Sequence, residues 1–241
     1  MDTPRKDIHN SEVPVVCASC EARHRGVCGA LNPSQLTALS RATTRRRVPS
    51  GRELYGEDRD NCAYANIISG VVKLTKMMAD GRQQIVGLQF APDFLGRPFA
   101  TGSTLSADAA TDVSLCAFPK STLERMIRET PELEHRLLQQ TLKELDEARD
   151  WMLTLGRKTA AEKVASFLLL IATHSDPEQD SDSAEFELPL TRSDIADFLG
   201  LTIETVSRQL TKLRKEGTVE ITNNRHVRIP DLDALAELAG A

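Results

Sequence analysis

Three cysteines crowd the start of this sequence as Cys17-x2-Cys20-x7-Cys28, and a fourth, Cys116, stands alone much further on. Thiolate sulfur is a soft donor, and iron–sulfur clusters of the two common types take four such ligands. A second metal reading uses Cys17, Cys20, His24 and Cys28, which form C-x2-C-x3-H-x3-C, close to a Cys3His zinc knuckle. Its last two gaps are each one residue short, and it leaves Cys116 without a task. Cys62 precedes a β-prone run and is either a small core residue or a substitute for Cys116; spacing alone does not separate the two. The same thiols can also form a disulfide switch without metal. Cys17-Ala18-Ser19-Cys20 resembles a dithiol catalyst only in spacing, because the βα unit that normally carries one is missing. No Walker A, G-x-G-x-x-G, G-x-S-x-G or H-E-x-x-H pattern is present, so an enzyme is not expected.

A second chemistry lies near the other end, in LTRSDIADFLGLTIETVSRQLTKLRKEG. Thr191 and Asp194 form a capping-box pattern, Gly200 permits a sharp turn, and Thr202 caps a second helix. Ile203, Val206, Leu210 and Leu213 are expected to face inward. Glu204, Ser207, Arg208 and Thr211 fall on the opposite face at i, i+3, i+4 and i+7. Arginine can donate two hydrogen bonds to guanine, and glutamate can accept from cytosine or orient the arginine. Lys212, Arg214 and Lys215 supply charge for phosphates. Val219–Ile221 and Val227–Ile229, joined through Asn223-Asn224, read as a hairpin wing. A redox-labile centre at one end and a DNA reader at the other describe a sensor that controls transcription.

The elements between must connect the two. After Asn32-Pro33, a helix start with Leu36 and Leu39 on its apolar side, short β-prone runs extend from Arg47 to Phe118. Ser-Gly, Asp-Gly and Pro-Asp pairs punctuate them, as in an antiparallel β-barrel or roll. Cys116 sits in its last strand, Val113–Phe118. Thr130-Pro131-Glu132 then opens a long helix, closed by Gly156. Leu138, Leu145 and Met152 recur every seven residues, with Ala148 and Leu155 on adjoining positions and Leu142 widening the stripe. Such a repeat suits pairing with a second helix. A further apolar helix spans Thr159 to Thr173. Residues 1–30 are expected to be irregular, Asp176–Glu185 a surface loop, Arg45–Arg47 a solvated loop face, and Met77–Gln84 a hairpin tip.

The chain has 241 residues and a net charge of −5, enough length for two modest domains. Residues 191–229 carry seven Lys/Arg against five Asp/Glu, so this stretch is net positive within an acidic chain. No apolar run approaches the roughly 20 residues of a membrane-spanning helix, and the N-terminus shows no signal-peptide core. A cytoplasmic protein without membrane contact is expected.

Taken together, these motifs resemble the Crp/Fnr family of bacterial regulators along nearly the whole chain. E-x-x-S-R at Glu204, Ser207 and Arg208 is similar to the reading motif of the family's oxygen-responsive FNR branch. The N-terminal cysteines with SLCAFP around Cys116 resemble that branch's cluster-binding set. The resemblance implies an α+β chain with a segment of clustered cysteines (1–30), a cyclic-nucleotide-binding-like β-roll of jelly-roll type (31–119), a dimerisation helix (120–156) and a winged helix-turn-helix (157–241). It implies a [4Fe–4S] cluster on Cys17, Cys20, Cys28 and Cys116, leaving Cys62 spare. It implies a homodimer, built on Leu138, Leu145, Ala148, Met152 and Leu155, that works with RNA polymerase as an activator of anaerobic genes. The DNA site would be a TTGAT-N4-ATCAA type palindrome, contacted through Thr202, Glu204, Ser207, Arg208, Thr211 and Lys212. Oxygen would destroy the cluster and weaken the dimer. Cyclic nucleotide is not expected, since the stretch from Phe94 to Ser106 lacks the acidic residue and Arg-Ser pair of the nucleotide-binding branch.

Overall fold

The computed structural model describes residues 13–56, 63–100, 102–175 and 182–240. Cys62 and residues 176–181 of the acidic stretch lie outside these. The described chain forms two compact units, residues up to 80 with 86–145, and 81–85 with 146 onward.

In the first unit, residues 13–30 are not irregular as expected. They form the short helical turns α1 (Val15–Ala18) and α2 (Glu21–His24), then a 3-10 turn over Val27–Ala30. Asn32 starts α3 (Pro33–Ala42) with a complete capping box. Its Oδ1 accepts from the Gln35 amide at 2.9 Å, while its own amide donates to Gln35 Oε1 at 3.0 Å. Loss of such a cap costs about 0.5–2 kcal/mol. Asn32→Ala is therefore expected to lower the unfolding free energy extrapolated from urea denaturation by that amount, and an unchanged free energy would show the cap to be redundant.

Among the described residues eight strands follow: β1 (Thr44–Val48), β2 (Glu53–Tyr55), β3 (Ala63–Ser69), β4 (Val72–Met77), β5 (Gln83–Gln89), β6 (Phe94–Leu95), β7 (Ser106–Ala109) and β8 (Val113–Pro119). They make two four-stranded sheets, ordered β1-β8-β3-β6 and β2-β7-β4-β5. Arg45–Arg47, expected in a loop, instead belong to the edge strand β1, exposed but paired with β8.

Strand alternation divides the first sheet's side chains between two cores. Ala65, Ile67, Leu115 and Ala117 turn into the roll with Val48, Val72 and Val113. Tyr64 and Phe118 turn to the other face, where they pack with Phe94, Val27, Leu36, Leu39 and Leu123. The N-terminal turns and α3 thus cover the outside of the β1-β8-β3-β6 sheet. The seam also holds Cys17 and Cys28.

The long helix expected to open at Thr130-Pro131-Glu132 is separate from a shorter helix before it, so the segment 120–156 holds two. α4 (Lys120–Glu129) ends at Thr130, and α5 (Pro131–Arg157) begins after it. Proline cannot continue the hydrogen-bond ladder of α4 but fits the first turn of α5. The buried Thr130 hydroxyl accepts a hydrogen bond from Gln35 Nε2 at 2.9 Å, fixing the break against α3. α5 belongs to the first unit as far as Leu145 and to the second from Asp146. Along it Leu138, Leu142, Leu145, Ala148 and Met152 face solvent in the single chain, Met152 at 72% exposure; Leu155 is half-buried.

The second unit contains α6 (Ala160–Ser175), β9 (Ala184–Glu187), α7 (Arg192–Leu199), α8 (Ile203–Lys215), β10 (Glu220–Thr222), β11 (His226–Ile229) and α9 (Leu232–Ala239). Val164, Phe167, Leu168 and Ile171 of α6 are buried, as are Ile195, Phe198 and Leu199 of α7. The end of the acidic stretch is a strand rather than a loop. Ala184 and Phe186 of β9 are buried while Glu185 and Glu187 are exposed, and β9 joins the wing in the order β10-β11-β9. α9, absent from the sequence-based expectation, is capped by Asp231, which accepts from the Ala234 amide at 2.8 Å. Among the described residues no helix is long and apolar enough to cross a membrane.

Candidate functional site

Cys17, Cys20, Cys28 and Cys116 line one cavity of about 200 Å³ in the first unit. Each arrives by a different local device. Cys17 lies within α1, and Cys20 directly precedes α2 as its N-cap. Cys28 is carried by the 3-10 turn. Cys116 projects on the same side of β8 as Phe118, because Leu115 and Ala117 on either side of it take the roll interior. Leu36, Leu39, Ile68 and Phe118 supply apolar walls, and Arg23, Arg45, Thr43 and Asn66 supply the polar ones.

The thiols are mutually destabilising as anions. Burial pushes Cys28 up to about 12, with the Cys116 charge adding to the effect and a hydrogen bond from Asn66 opposing it. Burial likewise raises Cys17, with help from Cys20 and Cys116. Burial raises Cys116 too, against a hydrogen bond from Thr43 and the charge of Arg45. Four thiolates gathered here therefore need a cationic partner. Arg45 is held over the N-terminal turns by donating from Nη2 to the Val16 carbonyl at 3.1 Å.

The donor set fits an iron–sulfur cluster: four soft sulfurs line one cavity several times the roughly 30 Å³ share of one water. Among the described residues, no three His, Cys, Asp or Glu side chains are gathered closely enough for a single metal ion. His24, the fourth donor of the knuckle reading, does not line the cysteine cavity. Its Nε2 is 3.2 Å from the Ala18 carbonyl, and it lies with His135 and Arg136 along a separate open cleft. Sequence reasoning missed Asn66, Thr43 and Arg45. Asn66 left a signal, as the polar member of the apolar run Ala65–Ile68.

The second unit holds the other candidate surface. Thr191 accepts from the Asp194 amide at 3.1 Å and starts α7. Gly200 then takes a left-handed conformation at φ 62° and ends it. Thr202 accepts from the Thr205 amide at 3.2 Å and starts α8. Val206, Leu210 and Leu213 are buried, whereas Ile203, expected inside, is 46% exposed because it occupies the first position of the helix. Thr202, Glu204, Ser207, Arg208, Thr211 and Lys212 are all exposed. The Glu204 carboxyl is held below the usual carboxylate range by its own backbone amide and the Thr202 hydroxyl, which favours its acceptor form.

Between α8 and the wing runs an open groove of about 680 Å³ lined by Arg192, Ser207, Thr211, Arg214, Asn224 and Arg225. Asn223 and Asn224 both have positive φ, which closes the β10–β11 turn tightly. Arg192 donates to the Asn224 carbonyl at 3.2 Å and ties α7 to the wing tip. The arginine lining and the exposed polar helix face suit a phosphate backbone and a major groove.

On the wing, the two ring nitrogens of His226 lie 2.7 Å from Glu185 Oε1 and 3.1 Å from Glu187 Oε1. Both can donate only in the imidazolium form. The bond to Glu185, then that to Glu187, raises the His226 pKa. A raised pKa stabilises the fold at pH below the unfolded value of about 6.5, and this contribution is lost as pH rises through the folded value. The melting temperatures of the parent and His226→Gln are thus expected to differ in mild acid and converge in alkali; a constant difference would contradict the pairing.

Two family models match the chain, a cyclic nucleotide-binding domain over residues 45–130 and a Crp-like helix-turn-helix domain over residues 162–238. A protein of Rhizobium leguminosarum bv. viciae described as a "Probable transcriptional activator" is 58% identical over all of both chains. The transcriptional activator protein FnrL of Cereibacter sphaeroides is 40% identical over 95% of each. The chain belongs to the Crp/Fnr family of transcriptional regulators. The solved structure of FixK2 from Bradyrhizobium japonicum superposes on this Crp/Fnr regulator with a TM-score of 0.74 at 33% identity, covering 83% of this chain and 98% of that one. The β-roll, the long helix and the helix-turn-helix are therefore those of a DNA-binding transcriptional activator rather than of an enzyme. A small cavity at Tyr55, Tyr64, Arg97, Ser103 and Lys120 measures about 20 Å³, room for about one water.

Proposed function

We propose that this Crp/Fnr regulator is an oxygen-responsive homodimeric activator that holds a [4Fe–4S] cluster on Cys17, Cys20, Cys28 and Cys116. The observation that carries the reading is the convergence of those four cysteines, separated by up to 99 positions in sequence, on one cavity. When bound, the cluster supplies positive charge that holds the thiolates together, and a centre that oxygen attacks.

The remaining work falls to the chain. Arg136 of α5 donates to the carbonyls of Arg25 and Gly26, in the segment between Cys20 and Cys28. Cysteines that are held fix this segment, and through Arg136 they fix the start of α5. Cysteines that are released free it. The exposed stripe Leu138, Leu142, Leu145, Ala148 and Met152 supplies the surface a second α5 would cover. Pairing places two copies of α8 about 34–36 Å apart, one turn of DNA. Each reads half of a TTGAT-N4-ATCAA type palindrome through Glu204, Ser207 and Arg208. The tip between β4 and β5, with Met77 and Met78 about half exposed, is offered to RNA polymerase. Cyclic nucleotide is not part of this reading.

The test is DNA binding and mass measured side by side. Protein prepared without oxygen is expected to sediment as a dimer and retard the palindrome, and brief air exposure should remove both properties. Equal affinity and mass before and after air would refute the proposal.

A further inference from the structure

Among the described residues, Asn66 is the one side-chain amide that lines the cysteine cavity. It is 1% exposed on β3, opposite Cys116 in register, and it lines the cysteine cavity. Its neighbours Ala65 and Ile67 fill the roll interior, so Asn66 takes the outward side that Tyr64 and Ile68 share. Its Nδ2 donates to Cys28 Sγ at 3.2 Å. Its Oδ1 is fully buried and has no hydrogen-bond partner among the described residues. A buried carbonyl without a partner is a standing cost to folding, which an apolar residue of similar size would avoid.

The amide is complementary to one chemical state of its neighbour. A thiolate accepts from Nδ2 but would be repelled by Oδ1. We propose that Asn66 is a positioning residue for the iron–sulfur ligand set, which points the Cys28 sulfur into the cavity and, through the Nδ2 bond to it, raises the reduction potential of the bound cluster. This rests on the cluster reading above. The physical cause is general: a hydrogen bond to a ligating sulfur withdraws charge from it and favours the more negative, reduced state of the centre.

The experiment compares the full-length parent with Asn66→Leu and Asn66→Asp, all prepared without oxygen. Iron and sulfide per chain are measured first, then the potential by anaerobic redox titration, then thermal melting of the metal-free proteins. Leucine removes the donor at similar size. At a fixed potential near the midpoint it should lower the ratio of reduced to oxidised cluster about tenfold, equivalent to about 59 mV for one electron. Aspartate keeps the shape but replaces the donor with a second anion, and should lower the ratio further. The metal-free Asn66→Leu chain should melt no lower than the parent, since the orphaned carbonyl is gone.

A merely structural asparagine would give the opposite pattern, a lower melting temperature with an unchanged potential in whatever clusters form. Either that pattern, or parental potentials in both variants, would overturn the assignment. Loss of iron and sulfide from both variants with parental melting would support it, as failure to present Cys28. If the leucine chain does not fold, the isosteric aspartate decides. A parent that holds no iron or sulfide would instead remove the cluster reading itself.

Discussion

Cys116→Ala is expected to leave anaerobically prepared protein without its cluster and, as a consequence, without the DNA-competent dimer. The effect should be close to all-or-none, because three remaining thiols cannot satisfy a four-ligand set. Cys116 is also the only one of the four supplied by the roll, since the others come from residues 17–28. Removing it leaves the N-terminal turns held to the sheet by packing alone. Folding should survive: Leu115, Ala117 and Phe118, which pack the two cores, are untouched. The measurement is iron and sulfide per chain beside the circular dichroism of the same sample. Iron retained at the parental level in Cys116→Ala, together with its loss in Cys62→Ala, would move the fourth ligand to Cys62.

The second large effect is expected at Arg208. Its guanidinium stands exposed on α8 one residue beyond Ser207 and one turn from Glu204, on the face opposite buried Val206 and Leu210. A bidentate arginine–guanine pair discriminates by about 1–3 kcal/mol. Arg208→Ala should therefore weaken binding to the palindrome by roughly 5–150-fold. Random DNA should be held almost as before, because its affinity comes from phosphate contacts such as those open to Lys212, Arg214 and Lys215. Competition titrations at constant salt distinguish the two. Equal weakening for specific and random DNA would make Arg208 a phosphate contact and contradict base reading.

How far the sequence disclosed this molecule depended on the size of each signal. The helix-turn-helix was legible because its caps, turn glycine and 3.6-residue period agree, and the structure differs there only at Ile203. The long helix was legible from its seven-residue repeat and from Thr130-Pro131-Glu132, where it begins. The turns over residues 13–30 left no readable period. Helices of four residues lie below the length at which local preference decides, and these are held by packing of Val13, Ala22 and Val27. β9 carried a period-two pattern, Ala184 and Phe186 inward, that its acidic setting hid.

At the site, cysteine spacing disclosed the ligands but not their surroundings. The outward turn of Cys116 follows from strand alternation once Leu115 and Ala117 are placed inside. The contacts of Asn66 and Arg45 depend on which segment covers that face, and this is settled only by tertiary packing.

The central claim is that the four converging cysteines hold an oxygen-labile cluster, and the most direct measurement is chemical. Protein purified without oxygen is analysed for iron, sulfide and zinc, then exposed to air while its visible spectrum is recorded. The account predicts about four irons and four sulfides per chain, as a [4Fe–4S] centre requires, with the colour lost in air together with affinity for the palindrome. Stoichiometric zinc, with no sulfide and no response to air, would contradict it.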